Sequence, residues 1–256
     1  MKPQVCVLRT DGTNCDEETA YAFEKVGGEP ELVHVNQLRC GARRLASYQI
    51  LAIPGGFSYG DDIASGKILA VELISYLREE FEEFVARQKL IIGICNGFQV
   101  LVRTGLLPFH SLGEMHATLT TNDSGRFECR WIRMVVEPSP CVFTQGLHEE
   151  INLQVAHGEG KFFSSGETLQ RIEKEGLVTL RYAESGKQTQ RYPANPNGSL
   201  NGIAGICDST GRIFGLMPHP ERFVETTQHP NWRRLVNARP HGLPIFENAV
   251  SFAKGL

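Results

Sequence analysis

The sequence lacks what would tie it to a membrane, a nucleic acid or a metal. No apolar run approaches the ~20 residues needed to span a bilayer. Net charge is −3 and no long basic run occurs, which leaves no cationic face for nucleic-acid phosphates. There is no C-x-x-C and no His-x-x-x-His pair, so the usual zinc-ligand spacings are missing and no metal is expected. The seven cysteines, Cys6, Cys15, Cys40, Cys95, Cys129, Cys141 and Cys207, are odd in number and scattered, which argues against a disulfide framework. No G-x-x-x-x-G-K-[ST] loop is present, so no ATP site can be read. The opening "MKPQVCVLRTDG" lacks the apolar core and cleavage site of a signal peptide, and the expected compartment is the cytoplasm.

What is present is enough to build a large core: 256 residues, 41% hydrophobic. The first half alternates strand and helix patterns. "QVCVLRT", "ELVHV", "QILAIPGG" and "KLIIGIC" read as strands, the last apolar throughout as buried parallel strands are. "DEETAYAFEKVGG" reads as a helix with an acidic first turn and a glycine stop. "GKILAVELISYLREEFEEFVARQ" reads as one long amphipathic helix, with Leu69, Leu73, Leu77, Phe81 and Phe84 on its apolar stripe. "NGFQVLVRTGLL" returns as a helix. After Pro108 come five further strand patterns separated by short turns, then a closing helix, "LPIFENAVSFAKG". The expectation is an α/β fold, with an open, largely parallel sheet flanked by helices and a β-rich second half, in one domain over residues 1–256.

One stretch carries chemistry. Gly93-Ile94-Cys95-Asn96-Gly97 follows the G-x-nucleophile-x-G plan at a strand-to-helix turn, with cysteine in place of serine. Such a turn lifts the side chain clear of the sheet and sets the sulfur at a helix N-terminus, which favours thiolate. Cys15 also precedes a helix. Asp16, Glu17 and Glu18 follow it at once, and neighbouring negative charge disfavours a thiolate there. An acyl-transfer nucleophile needs an oxyanion hole. The Asn96 N–H and the Gly55-Gly56 turn of "LAIPGGFSYGDD" are candidates, because that turn ends the strand pattern just before the nucleophile's own.

Two histidines could serve as the base. His219 lies in "GLMPHPER" at the end of an apolar strand pattern. Its flanking prolines favour an extended chain that would put Glu221 on the same face. His157, in "VAHGEGKF", ends an alternating strand and has Glu159 two residues on. Residue chemistry alone barely separates them.

"IPGGFSYGDD", "GICNGFQVL" and "MPHPER" together resemble the class I (triad) glutamine amidotransferases, which have a flavodoxin-like fold. The strings "LRTDGTNCDEET", "FSYGDD", "CNGFQ", "AHGEGKF" and "YPANPNGSLNGIAGICDSTGRIFGLMPHPER" carry the resemblance to the glutaminase components of phosphoribosylformylglycinamidine synthases. The resemblance implies Cys95 as nucleophile, His219 as general acid and base, and Glu221 as its orienting carboxylate. It implies Gly56 and Asn96 as oxyanion donors, Gln99 as a glutamine-binding residue, and His157 in a secondary role at the glutamine site or partner contact. It also implies L-glutamine as substrate, and as partners a large synthetase subunit, which uses ATP and Mg2+, and a small bridging subunit. No cofactor is expected in this chain. Pro230 to Pro240 lies outside these motifs and is a candidate partner-facing surface. The alternatives are another cysteine hydrolase or deglycase on the same fold, or a non-catalytic glutamine-sensing subunit.

Overall fold

The structure, a computed structural model, describes residues 1–147, 149–234 and 239–256. The chain opens with β1 (Gln4–Arg9), α1 (Asp16–Lys25), β2 (Glu29–His34) and the single-turn α2 (Val35–Arg39). It continues through β3 (Ile50–Ile53), α3 (Lys67–Tyr76), α4 (Arg78–Ala86), β4 (Leu90–Ile94) and α5 (Asn96–Arg103). The second half supplies β5 (Ala117–Thr120), β6 (Glu128–Val136), β7 (Glu150–His157), β8 (Lys161–Ser164) and α6 (Gly166–Lys174). It ends with β9 (Val178–Glu184), β10 (Lys187–Gln188), β11 (Ile203–Cys207), β12 (Ile213–Leu216) and α7 (Leu243–Ala253).

One ten-stranded sheet takes in both halves, in the order β2-β1-β3-β4-β12-β11-β9-β6-β7 with β10 beside β9. From β2 to β12 every neighbouring pair is parallel. From β12 to β7 every pair is antiparallel. β12 is therefore the hinge of the architecture. It comes from the second half of the chain yet pairs in parallel with β4, with Gly215 opposite Gly93 and Leu216 opposite Ile94. In parallel sheets ligands gather at the carboxyl ends of the strands, so the ends of β4 and β12 open onto the same edge.

β3 and β4 are buried at every position, because sheet neighbours and helices cover them. α5 packs over β4 and β12 and against α3, while α1 packs on β1, β2 and α7. Phe23 and Phe246 meet edge to face between α1 and α7, with ring centroids 4.9 Å apart.

One expectation needs correction here, and one helix was not expected. The long helix over 66–88 is two helices, because Leu77 leaves helical geometry at φ −125°. The apolar stripe is nevertheless right: all five of its residues are buried. The break turns α4 onto the Leu45–Ser47 turn, where the Glu80 carboxylate accepts the Leu45 N–H at 2.9 Å. α6 had no expectation at all. Ile172 is its single buried residue, so it has almost no apolar period to read. Its start is signalled instead by Ser165, which caps the Thr168 N–H at 3.2 Å.

Candidate active site

Cys95 is the entire connection between β4 and α5. Its backbone sits at φ 50°, ψ −103°, a region L-residues avoid and in which strain of about 1–3 kcal/mol is stored. Its N–H donates to Leu216 O of β12 at 2.8 Å, which fixes the turn to the neighbouring strand. Close approach explains the flanking glycines. A methyl group on Gly93 would lie 2.6 Å from Gly97 O, and one on Gly97 would lie 1.8 Å from Ile53 O. Asn96 opens α5, so its N–H is among those without an intrahelical acceptor.

His219 follows β12 across the same edge. Its N–H donates to Gln154 O of β7 at 2.8 Å. The ring is 1% exposed and Glu221 is 0% exposed, so the pair is screened from bulk water. His219 Nδ1 donates to Glu221 Oε1 at 2.5 Å. The route to this pairing differs from the extended dipeptide expected from the prolines. His219 itself is extended, at φ −102°, but Pro220–Phe223 coil into a 3-10 turn that swings Glu221 back under the ring. Burial opposes charge on the imidazole. The Glu221 carboxylate and the Cys95 and Cys15 sulfurs outweigh it, and the pKa of His219 rises well above its ordinary value.

His157 is placed otherwise. Its Nδ1 donates to Asn122 Oδ1 at 3.2 Å, and its Nε2 lies 3.5 Å from the Asn197 amide nitrogen. That nitrogen gives its two hydrogens to Gly160 O and to the Tyr182 hydroxyl, which leaves none for a full bond to His157. Burial, with the charge of His219 behind it, pushes the His157 pKa down to about 3. The imidazole is thus a neutral strut for the 157–160 turn. Glu159, its sequence neighbour, does not pair with it; the Glu159 carboxylate accepts from Ser65 N at 3.4 Å.

Gln99 lies one turn into α5 and ties that 157–160 turn down. Its Nε2 donates to Glu159 O at 2.6 Å, and its Oε1 accepts from Asn96 Nδ2 at 3.0 Å. The same Asn96 amide nitrogen reaches Asp61 Oδ1 at 3.3 Å. Ala156 O, at the end of β7, lies 3.7 Å from Cys95 Sγ. Gly56 follows β3 at φ 141°, packed against the loop after β1. A methyl group there would come within 2.8 Å of Asn14 N.

The residue that sequence reasoning set aside is Cys15. The structure brings its sulfur to His219. The Arg222 guanidinium donates to Cys15 Sγ at 3.2 Å and to Glu18 at 3.0 Å. The topology holds the missed signal: the loop after β1 ends on the same sheet edge as the turn after β4. One ligand atom each from Cys15, Glu18, His219 and Glu221 lies within 4.8 Å of the others. That donor set does not fit a resident metal. Arg222 already supplies the positive charge there, and His219 and Glu221 are committed to one another.

A strained cysteine at the end of a parallel strand, beside a buried His–Glu pair from the next strand, is the arrangement of the triad glutamine amidotransferases. Residues 2–253 match the family model for the CobB/CobQ-like glutamine amidotransferase domain. Subunit PurQ of phosphoribosylformylglycinamidine synthase from Dehalococcoides mccartyi is 51% identical over 99% of this chain and 98% of its own length. The subunit PurQ of Methanococcus maripaludis is 42% identical over 98% of this chain and 97% of its own length. A chain of PurLQS from Thermotoga maritima superposes with a TM-score of 0.77 at 33% identity, covering 98% of this chain and 99% of that one. The chain belongs to the CobB/CobQ-like glutamine amidotransferases, within the group formed by the PurQ subunits of phosphoribosylformylglycinamidine synthase. Neither alternative from the sequence, the deglycase-like hydrolase or the glutamine sensor, finds support among these relatives.

Proposed function

We propose that this chain, acting as one domain, hydrolyses L-glutamine at Cys95. The ammonia passes to an ATP-dependent synthetase subunit that makes formylglycinamidine ribonucleotide. The observation that carries the reading is the Cys95 turn beside the buried His219–Glu221 pair, in a chain 51% identical to a PurQ subunit.

Cys95 thiolate attacks the side-chain amide carbon of glutamine. The oxyanion that forms is held by the Asn96 N–H at the start of α5 and by the Gly56 N–H. His219, held protonated by Glu221, gives its proton to the leaving nitrogen, and ammonia departs. A γ-glutamyl thioester remains on Cys95. His219, now neutral, takes a proton from water, which attacks the thioester and releases glutamate. Gln99 and His157 act through the 157–160 turn: they hold its backbone against α5, where the substrate's amide end must lie.

The large synthetase subunit and a small bridging subunit are the proposed partners, and ATP and Mg2+ are used on the synthetase. A cytoplasmic location is part of the same proposal. Among the described residues no helix is long and apolar enough to cross a membrane. Of the candidate partner-facing segment from Pro230 to Pro240, residues 235–238 lie outside the described ones.

Mass mapping with an electrophilic glutamine analogue tests the reading. Label is expected on Cys95 alone. Label on Cys15 in its place would overturn the mechanism.

A further inference from the structure

The reaction above leaves one buried thiol of the site without a task. Cys15 ends the loop after β1, and its N–H donates to Gly55 O at 3.2 Å, which ties that loop to the one after β3. Its thiol donates to Asn14 Oδ1 at 3.2 Å while Arg222 donates to the sulfur from the other side. Both Cys15 and Cys95 are free thiols.

What separates them is a glycine. A methyl group on Gly55 would lie 2.8 Å from His219 Cε1, 3.1 Å from Cys15 Sγ and 3.5 Å from Cys95 Cβ. The imidazole and both cysteines therefore crowd one point above Gly55, where even a methyl group would collide with the ring. His219 Nε2 is buried at this place with no hydrogen-bond partner among the described residues. A base with an unused nitrogen thus stands between two thiols from two different loops.

We propose that Cys15 is a resolving thiol, which closes a disulfide with Cys95 when a hydroperoxide oxidises the site. The proposal rests on the reading of Cys95 as the nucleophile. In the first step Cys95 thiolate attacks one oxygen of the peroxide. The S–O bond forms, the O–O bond breaks, and the departing hydroxide takes the proton of the His219 imidazolium and leaves as water, so that His219 is neutral for the next step. Cys95 is then a sulfenic acid, oxidised by two electrons, and the peroxide is reduced by two. In the second step Cys15 sulfur attacks the Cys95 sulfur. The S–S bond forms and the S–OH bond breaks. His219 accepts the Cys15 proton and passes it to the departing hydroxide, which leaves as water. A dithiol reverses the result by exchange. Without Cys15, a second peroxide would carry Cys95 to the sulfinic acid, which dithiols do not reduce.

The test uses the full chain, treated with hydrogen peroxide, alkylated under denaturing conditions and mapped by peptide mass spectrometry. The expected product is a Cys15–Cys95 cross-linked peptide, lighter by two hydrogens than its two parts, with activity returning on dithiothreitol. In Cys15→Ser and Cys15→Ala, Cys95 is expected to gain two or three oxygens. The activity recovered by dithiothreitol, relative to each variant's own untreated rate, should then fall at least about five-fold below the parent. Oxidation of Cys95 with no link to Cys15 overturns the proposal, and so does equal recovery in both variants. The glutaminase rate before peroxide tests the underlying reading separately. A chain inert towards glutamine that still forms the cross-link would keep the disulfide and remove the function.

Discussion

Glu221 Oε1 lies 2.5 Å from His219 Nδ1, and neither side chain reaches bulk water. A carboxylate so placed keeps the imidazolium from losing its proton, and the His219 pKa stands well above its ordinary value. Replacing Glu221 with glutamine removes that charge and keeps the shape. The His219 proton then leaves at lower pH, so the alkaline limb of kcat/KM for glutamine hydrolysis should move to lower pH. The rate at neutral pH should fall by about two orders of magnitude or more. A pH profile of the assembled enzyme checks it. An unmoved alkaline limb would show that Glu221 does not set the imidazole's charge.

The Cys95 turn separates chemistry from backbone strain. Cys95→Ala should abolish glutamine-dependent synthesis in the assembled enzyme and leave ammonia-dependent synthesis intact, because the thioester is needed only to release ammonia. Normal glutamate release by this variant would sink the assignment. Cys95→Gly should be equally inert but more stable than Cys95→Ala, by about 1 kcal/mol, because φ 50°, ψ −103° penalises any Cβ. Chemical denaturation of the two variants measures the difference. Elsewhere in a chain glycine is ordinarily the less stable of the two. Gly97→Ala should lose several kcal/mol, since its new methyl group would meet Ile53 O at 1.8 Å.

Much of this was legible before any coordinates. The glycines at 93 and 97 announced the turn, and the alternation of strand and helix patterns announced the parallel half of the sheet. The position of β12 was not legible. "RIFGL" reads as a strand, but nothing local says that it inserts beside β4 in parallel, and that pairing is what brings His219 to Cys95. The same holds for His157 and His219, which look alike in sequence. They are told apart by what surrounds them in space, two asparagines in one case and a carboxylate in the other. The nearness of Cys15 to His219 was not legible either, because its neighbours along the chain say nothing of which loops share its edge of the sheet. In space Arg222 spans its sulfur and Glu18.

Gln99 offers a test of substrate positioning that avoids the reacting atoms. Its amide donates to Glu159 O at 2.6 Å and accepts from Asn96 Nδ2. Gln99→Glu keeps the size but turns that donor into an acceptor facing a carbonyl. The lost bond and the repulsion together should cost about 1–3 kcal/mol, or roughly tenfold or more in the KM for glutamine. Ammonia-dependent synthesis should be untouched. Steady-state kinetics with each nitrogen source decides it. Equal loss with both would mean that the substitution unsettles the fold and leaves glutamine positioning untested by this residue.

His157 sets the chain's sensitivity to acid. The folded protein holds its imidazole neutral, with a pKa of about 3, because burial and then the charge of His219 both oppose a second proton on the ring. In the unfolded chain the same group titrates near its ordinary value of about 6.5. Between those two values the unfolded state binds the extra proton, so stability must fall as pH drops through this window. The contribution is full above about pH 6.5 and is lost towards pH 3, with a total on the order of 5 kcal/mol. His157→Gln has no proton to bind. Its stability at neutral pH should be lower, because the ring's packing against Gly160 is lost. Its further decline between pH 7 and pH 5 should be shallower than the parent's. Urea denaturation at several pH values across that range gives both slopes. Parallel slopes would mean that His157 does not stay neutral in the folded protein.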